Sequence, residues 1–485
     1  MIDTIKNILN IIKTHNFERI IVELILLTML FNVNMIAGII FLVIIIFEIL
    51  ISKDTKNMLF IFIFLSFFDE ILQIEKLGGS ISRIVMLFIM LKLIIKILKD
   101  KIKPNKFQVC VGIFFLISFV VGIIEKNISM EVFVTLFNIF IFICFSANLQ
   151  LKNNEEIEEF IEKLCYTIII AALGASIYGI ATVNFFKDVR GNAIAYRFKG
   201  TYEPNFMCMY LNLAILALFT VKDKINKFLY YILSALFINL AILTVSITGL
   251  GVLAISLIVY FIFYKNEWRK LLKEFGIIIL ISSIIYCGIK IIKIERIIEY
   301  TNLNNEKNQT ITEKTENTYP TEPKKDIKEN NDLQENEEIS NVNESGIYSR
   351  LKRIVIQLEN GKIDDLTSGR TALARTFFNA SFNRPILNIL FGNNPVNKKV
   401  YCDFFDRECF SHNSYMDCLY NFGIIGFAIS VGFLLYRTIK NIYVNANITD
   451  CKYSKDVKVI RIMLLLCAVA LTLYTKRMFL VLFLI

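Results

Sequence analysis

The sequence predicts an all-α polytopic integral membrane protein with about 12–14 transmembrane helices and one large extracytoplasmic loop. Hydrophobic residues make up 55% of the 485 residues, and the mean hydropathy is +0.56. Uninterrupted apolar runs at residues 35–50, 109–124 and 277–292 approach the length that crosses a hydrocarbon core of ~30 Å. These runs lack the alternation of apolar and polar residues that a membrane β-barrel shows, so we expect helices.

Each sufficiently long apolar run is assigned one predicted span, with boundaries uncertain by about 2–4 residues. The first two spans, and the pair between residues 228 and 264, are separated by very tight turns, which is why a range of helix numbers is predicted. The predicted spans are residues 19–32, 35–51, 57–74, 81–98, 107–124, 130–149, 164–184, 205–221, 228–246, 249–264, 275–292, 413–436 and 459–474.

The distribution of basic residues predicts the orientation of these helices. The formal net charge is +10, and in a membrane protein such an excess marks cytoplasmic loops rather than a nucleic-acid partner. The turns at residues 32–34, 75–80 and 125–129 are nearly neutral, which predicts a cytoplasmic N-terminus. The abundance of Ile, Lys, Asn and Phe suggests a bacterium, so the membrane would be its cytoplasmic membrane. The alternate loops all contain Lys or Arg, and they are residues 52–56, 99–106, 152–163, 222–227, 265–274 and 437–458.

Two segments on the predicted outer side depart from this charge bias. The first is the loop at residues 185–204, whose basic side chains are Lys187, Arg190, Arg197 and Lys199. The second is the large loop at residues 293–412. It divides the chain into N-terminal helices at residues 1–292 and C-terminal helices at residues 413–485.

The large loop has three predicted parts. Residues 301–345 are low-complexity Asn, Glu, Lys and Thr with too few apolar side chains to form a core, and we expect them to be mobile. Residues 347–358 place apolar residues at helical spacing opposite basic ones, which is typical of a helix at the membrane interface. Ser368 is expected to cap a helix over residues 369–382 that Pro385 terminates.

His412 is the first candidate for chemistry. The chain has two histidines, and His15 falls in the predicted cytoplasmic tail. His412 lies at the outer mouth of the predicted span 413–436, where it is either a satisfied interfacial side chain or an imidazole that exchanges a proton near neutral pH.

Arg197 and Arg370 form the second candidate site. Most surface arginines are merely solvated, but these two lie in outer loops, against the positive-inside bias. Arg197 precedes a turn with Gly200 and Pro204 that leads directly into a predicted span. A guanidinium group binds phosphate through two parallel hydrogen bonds, so both arginines suit a phospholipid or a polyprenyl diphosphate at headgroup level.

The motifs around these residues resemble the O-antigen polymerase and ligase superfamily. The sequence SHNSYMDCLYNFGIIGF at 411–427 is similar to the HNxxLxxLxxxGxxG signature of that superfamily. It follows a large outer loop that contains SGR at 368–370 and a Phe–Asn–Arg–Pro stretch at 382–385. The sequence YRFKGTYEPN at 196–205 resembles the RxxGxxxxPN segment that opens a membrane helix in the same superfamily.

This resemblance implies a GT-C-like fold and a metal-independent inverting glycosyltransferase without a cofactor. The donor would be an undecaprenyl-diphosphate-linked glycan on the extracytoplasmic face. His412 would be the base at the acceptor hydroxyl, while Arg197 and Arg370 would bind the donor diphosphate and stabilise the leaving group. The residues expected to support substrate binding are Arg190, Lys199, Asn205, Asn413 and Tyr415.

The resemblance has two departures and leaves the reaction open. Ile247 stands where the superfamily often has an arginine, which leaves open whether Arg190 or Lys199 substitutes, and the usual Trp after SGR is absent. The primary expectation is a polymerase of lipid-linked repeat units, with a chain-length regulator and a flippase as partners. The alternatives are a ligase that transfers finished polymer to another acceptor, and a lipid-linked oligosaccharide flippase or other transporter.

Two further pairs of residues are candidates for a role in the outer region. Asp69 and Glu70 lie near the outer end of a predicted span, where an interfacial or charge-paired role is expected. Cys402 and Cys409 form a C-x6-C pair in the predicted outer loop. An oxidising exterior allows a disulfide there, but the sequence does not decide between a disulfide and two free thiols.

Overall fold

The chain is mostly helical. The computed structural model describes residues 17–52, 54–74, 79–103, 105–124, 143–149, 151, 153–190, 193–291, 369–392, 399–440, 451–469 and 471. The helices are α1 (Phe17–Val33), α2 (Met35–Ile51), α3 (Thr55–Ser66), α4 (Ile81–Lys99), α5 (Lys106–Ile124), α6 (Asn154–Ala181), α7 (Pro204–Thr220), α8 (Lys227–Leu243), α9 (Ile247–Phe263), α10 (Trp268–Ile291), α11 (Arg370–Phe382), α12 (Ile386–Phe391), α13 (Ser414–Phe427), α14 (Phe433–Lys440) and α15 (Ser454–Ala468).

Three short antiparallel hairpins accompany the helices. They are β1 (Gln73–Ile74) with β2 (Gly79–Ser80), β3 (Phe185–Arg190) with β4 (Ala193–Phe198), and β5 (Val400–Cys402) with β6 (Arg407–Cys409). The β3–β4 hairpin occupies the outer loop predicted at residues 185–204, for which no strand was expected. Its six residue pairs include Phe186 opposite Arg197.

The helices follow the predicted spans, with shifts at their ends. Helix α3 ends at Ser66, well before the predicted boundary at residue 74, because the chain turns there towards the β1–β2 hairpin. Helix α6 begins ten residues before the predicted span 164–184. Asn153 caps it by accepting the backbone N–H of Glu156, and acidic residues fill the first turn, where the helix dipole favours them. Of the predicted span 130–149, only residues 143–149 are described, and 143–148 are helical.

Helix α7 lies at the centre of the core. Every residue from Met207 to Thr220 is buried, as expected for a helix that is apolar on all sides. It packs against α6, α8, α9 and α15. The aromatic ring of Tyr210 contacts that of Phe67 at a centroid distance of 4.5 Å, which joins α7 to the turn after α3.

Two of the described helices are long and apolar enough to cross a bilayer, judged by length and composition alone: Asn154–Ala181 and Lys265–Gly288. Shorter apolar helices are Met35–Ile51, Thr55–Ser66, Gln108–Ile124, Pro204–Thr220, Lys227–Leu243 and Ile247–Phe263. Many large apolar side chains point away from the protein. For example, Ile36 is 71% exposed and Ile284 is 64% exposed.

Polar contacts at one end of the bundle join four of the segments predicted to lie on the cytoplasmic side. These segments are residues 152–163, 222–227, 265–274 and 437–458. The contacts are Lys222–Glu274 (3.1 Å), Lys224–Glu162 (3.4 Å) and a hydrogen bond from the hydroxyl of Tyr264, next to the third segment, to the carboxylate of Asp456 (2.9 Å). These contacts bring the four segments together at one end of the fold, and their cytoplasmic location stays a prediction.

Helix α13 does not run unbroken through the predicted span 413–436. Gly423 has φ +67°, and a β-carbon there would lie 2.4 Å from the backbone carbonyl of Leu390 in α12. The break frees carbonyl groups that a regular helix would pair four residues later. The guanidinium group of Arg384 donates to two of them, Tyr420 O at 2.7 Å and Leu419 O at 3.2 Å.

We expect Gly423→Ala to lower the melting temperature of the purified protein. A side chain at this φ costs about 1–2 kcal/mol before any clash with α12 is counted. Gly251→Ala is the matched control, because no atom would lie within 4 Å of its β-carbon and Ala is favoured over Gly inside a helix. Thermal unfolding in detergent tests this pair, and equal melting temperatures for Gly423→Ala and the unmodified protein would contradict the account.

Part of the large predicted loop can be compared with the structure. The helix expected over residues 369–382 is present as α11, but its N-cap is Gly369, at φ +76°, without a side-chain cap. Ser368, the predicted mobile segment 301–345 and the predicted interfacial helix 347–358 lie outside the described residues. Pro385 separates α11 from a further short helix, α12, and is the N-cap residue of α12.

Candidate functional site

Arg197 is a buried connector between two helix ends. It lies near the end of β4 and is 6% exposed. Its Nε donates to the backbone carbonyl of Thr244 at 2.9 Å, and its Nη2 donates to Oδ1 of Asn205 at 2.8 Å. Thr244 follows the last residue of α8, where a helix leaves carbonyl groups without intrahelical partners. Arg197 therefore ties the end of α8 to the start of α7.

Arg370 binds the start of α9, directly after the turn that Arg197 contacts. It is the first residue of α11, is half-buried, and donates from Nη1 to Oγ1 of Thr248 at 2.8 Å. The preceding residue, Gly369, packs tightly against Phe405 between β5 and β6, since an added β-carbon would lie 2.2 Å from the ring. This contact holds the start of α11, where Arg370 lies. The turn between α8 and α9 thus has one arginine bound at Thr244 and another at Thr248.

His412 lies in the loop before α13, with φ +51°. Its imidazole is exposed at the surface and makes no hydrogen bond to any residue that the structure describes. Partial withdrawal from water is the largest cause that lowers its pKa, and the positive charge of Arg370 lowers it further, while the carboxylate of Glu203 opposes the change. His412 is therefore near both groups, and its neutral form is favoured at neutral pH.

A small cleft, partly open to solvent, lies beside Arg370, and His412 is not among its lining residues. Arg370, Asn205 and Thr248 provide polar atoms in its lining. The other lining residues are Met209, Ser246, Gly249, Val252, Cys467 and Leu471, so the walls come from α7, α9 and the C-terminal end of α15. Arg197 lies behind Asn205 and does not itself line the cleft. The polar lining with apolar walls suits an amphipathic ligand.

Two predicted support residues have structural partners. Asn413 caps α13, since its Oδ1 accepts the backbone N–H groups of Tyr415 at 2.9 Å and Met416 at 3.2 Å. The hydroxyl of Tyr415 donates to the carbonyl of Leu465 in α15 at 2.7 Å. Both contacts orient the helix that follows His412. They leave the amide nitrogen of Asn413 as the atom through which it can contact a ligand.

The backbone of Arg190 and the side chain of Lys199 lie apart from this network. Arg190 pairs with Ala193 at the tip of the β3–β4 hairpin. Arg197 pairs with Phe186, which is four residues before Arg190 on the same strand, so the backbones of Arg190 and Arg197 are roughly 13 Å apart along the hairpin. The side chain of Lys199 makes no hydrogen bond or ion pair within the described part of the chain. Instead, the guanidinium group next to Ile247, the position of the missing arginine, is that of Arg370, which binds Thr248.

Sequence reasoning missed Glu203 and Thr248. Oε1 of Glu203 accepts the amide of Asn205 at 2.6 Å, which extends the network from Arg197 towards His412. Its position directly before Pro204 and Asn205 was visible in the sequence, but nothing there assigned it to His412. Thr248 directly follows Ile247, the position at which the superfamily often has an arginine. The missing arginine could have drawn attention to this position as one that an arginine from elsewhere in the chain contacts.

Asp69 braces the turn that leads into α7. Its Oδ1 accepts the hydroxyl of Ser82, and its Oδ2 accepts the hydroxyl of Tyr202 at 3.5 Å. The hydroxyl of Thr201 donates to the carbonyl of Phe67 at 2.6 Å. Asp69 thus joins the start of α4 to the turn before α7 through hydrogen bonds, and its interfacial or charge-paired role stays a prediction.

Cys402 and Cys409 are free thiols in the structure. In the β5–β6 register Cys402 pairs with Arg407, and Cys409 pairs with Val400. The two cysteines are therefore diagonal neighbours on one face, roughly 7–8 Å apart. A disulfide needs a closer approach of its β-carbons, so bridging them would require this hairpin to shift.

No protein-family model matches the chain, and neither a curated protein nor a solved structure is significantly similar to it.

Proposed function

We propose that the chain is a polytopic glycosyltransferase of the bacterial cytoplasmic membrane, with a GT-C-like fold, that polymerises undecaprenyl-diphosphate-linked repeat units into a surface polysaccharide. The observation that carries this proposal is that Arg370 and Asn205 line one cleft, that Arg197 binds Asn205 from behind, and that His412 lies close to Arg370 and Glu203. These residues were selected from three separate sequence motifs. They lie far apart in the sequence, yet Arg197 binds the end of α8 and Arg370 binds the start of α9, on either side of one turn in the chain.

Two properties of the surface support a membrane location. Apolar side chains are exposed along the outward faces of α2, α9 and α10, which suits contact with lipid rather than water. Charged pairs link the predicted cytoplasmic segments at one end. The segments predicted on the outer side contain Arg370, His412 and the turn that begins at Thr244. The cleft therefore faces the side on which lipid-linked repeat units are polymerised in this proposal.

The cleft supplies the charge that the reaction needs. In a glycosyl transfer from a lipid diphosphate, the bond between the anomeric carbon and the diphosphate oxygen breaks, and its electron pair leaves on the diphosphate. The guanidinium group of Arg370, which lines the cleft, stabilises this charge directly. Arg197 holds Asn205 at the cleft wall and contributes its positive charge from behind.

His412 supplies the proton acceptor. The acceptor hydroxyl of the next repeat unit attacks the anomeric carbon from the face opposite the diphosphate, with inversion, and gives its proton to the imidazole. A base must be unprotonated before the reaction. The lowered pKa of His412 keeps its imidazole neutral at pH 7, and the carboxylate of Glu203 stabilises the imidazolium that forms.

The products formed by the purified protein test the proposal. In proteoliposomes with a lipid-linked repeat unit as the sole substrate, we expect a ladder of glycans that lengthens by one repeat unit per step. Product only after addition of a second acceptor would indicate a ligase. Movement of the lipid-linked unit between leaflets without any new glycosidic bond would overturn the proposal in favour of transport.

A further inference from the structure

The backbone at His412 adopts a conformation that needs support from its neighbours. Its φ of +51° lies in the left-handed region, which few residues other than glycine adopt. Such a conformation persists where surrounding contacts fix it, and it is common at functional sites. Ser411 and Asn413, the residues on either side of His412, provide these contacts.

The hydroxyl group of Ser411 is the centre of the support. Ser411 is 1% exposed, and its Oγ accepts the backbone N–H of Asn413 at 3.0 Å. The same oxygen lies 3.0 Å from the carbonyl oxygen of Asn413 and within hydrogen-bond distance of Oδ1 of Asp417. Asp417 is in the first turn of α13, so these contacts join both flanks of His412 to that helix.

A count of hydrogens indicates the form of Asp417. The Ser411 hydroxyl has one hydrogen, but two acceptors face it if Asp417 is a carboxylate. If Asp417 is a neutral acid, it donates to Ser411 Oγ, and Ser411 donates to the Asn413 carbonyl, so every contact is satisfied. Asp417 is 3% exposed, and its Oδ2 has no hydrogen-bond partner among the described residues. Burying an oxygen atom without a hydrogen-bond partner is far less costly for a neutral acid than for a charged carboxylate.

We propose that Asp417, as a neutral carboxylic acid, and Ser411 are positioning residues that hold the loop carrying His412 in place. This inference rests on the proposed function, in which His412 accepts the proton of the attacking hydroxyl. Neither residue touches the substrate. They act by fixing the loop that presents the imidazole beside Arg370.

Variants in a His15→Gln background test this inference, since His412 is then the sole histidine. Ser411→Ala and Asp417→Ala are expected to lower kcat by about 10- to 100-fold with KM unchanged, because a small misplacement of a reacting group has effects of this size. Asp417→Asn is expected to stay within about threefold of the parent, because its amide can donate to Ser411 as the neutral acid does. Ser411→Thr keeps the hydroxyl and serves as the matched control.

A second readout does not depend on glycan synthesis. Diethyl pyrocarbonate modifies neutral imidazole, and peptide mass spectrometry gives the rate for His412 alone. We expect this rate to change at least threefold in Ser411→Ala and Asp417→Ala, and to be preserved in Asp417→Asn. Equal loss of activity in Asp417→Asn and Asp417→Ala would overturn the neutral-acid assignment, and unchanged kcat and modification rates in Ser411→Ala would overturn the positioning role.

The two proposals can fail separately. Absence of any new glycosidic bond in proteoliposomes would overturn the proposed function, while the modification rates of His412 would still decide whether Ser411 and Asp417 hold the loop. If Asp417→Ala does not accumulate in the membrane, Ser411→Ala carries the same prediction, because it removes the hydroxyl and keeps the carboxyl group on α13.

Discussion

Replacing His412 by asparagine is expected to lower the rate of glycan polymerisation by about 10²- to 10⁴-fold, which is the usual contribution of a general base. Asparagine adopts the left-handed backbone conformation more readily than most residues, so the loop should keep its shape while the proton acceptor is lost. The initial rate of polymer formation in proteoliposomes measures the effect. His412→Ala should be equally inactive.

The control for this prediction is the amount of folded protein in the membrane. The imidazole makes no hydrogen bond to a described residue, so His412→Asn should accumulate and melt like the unmodified protein. His15→Gln should retain full activity, since His15 falls in the predicted cytoplasmic tail. Polymer synthesis at the normal rate by His412→Asn would contradict the catalytic assignment.

Arg370→Ala and Arg197→Ala are both expected to lose activity by about 10²- to 10³-fold, but only Arg197→Ala should also lose stability. Arg197 is buried and donates one hydrogen bond each to Thr244 O and Asn205 Oδ1. Its removal leaves both acceptors without that donor, at a cost on the order of 3 kcal/mol. Arg370 is half-buried and bonds the exposed side chain of Thr248, so its loss should leave the melting temperature nearly unchanged. Thermal unfolding and polymer formation together separate the two effects.

Arg370→Ala also makes a prediction about pH. The positive charge of Arg370 helps to hold the pKa of His412 below its usual range. Since the neutral imidazole is the active form, activity falls as the pH drops through this pKa. Removing the charge raises the pKa, so the acid limb of the residual activity should move to higher pH. The pH dependence of His412 modification by diethyl pyrocarbonate should move the same way, and an unchanged limb would contradict the electrostatic coupling of the two residues.

The sequence was sufficient to select Arg370 and Asn205, which line the cleft, and Arg197, which binds Asn205, because the features that mark them are local. An arginine in an outer loop departs from the charge bias wherever it occurs, and a scarce histidine at a helix mouth is conspicuous. The helix over residues 369–382 was predicted from Ser368 as its cap and from Pro385 as its end, although the N-cap in the structure is Gly369. The contact of Arg197 and Arg370 with one turn, at Thr244 and Thr248, depends on how α8, α9 and α11 pack, which no local pattern contains.

Other features could not be predicted because long-range contacts decide them. Residues 185–198 pair as a hairpin although the segment is short and carries charged residues in its first strand. The break at Gly423 is stabilised by Arg384, which is distant in sequence from the carbonyl groups that it binds. Ser411 and Asp417 were part of the recognised motif, but their hydrogen bond becomes meaningful only once the left-handed conformation of His412 is known.

Binding of the bare lipid diphosphate tests the central claim most directly. Undecaprenyl diphosphate without a glycan is added to the purified protein, and native mass spectrometry measures the bound fraction. Arg370→Gln removes the charge that lines the cleft, and Arg375→Gln removes an arginine from the exposed part of the same helix. The account predicts at least tenfold weaker binding for Arg370→Gln and unchanged binding for Arg375→Gln. Equal binding by Arg370→Gln and the unmodified protein would contradict it.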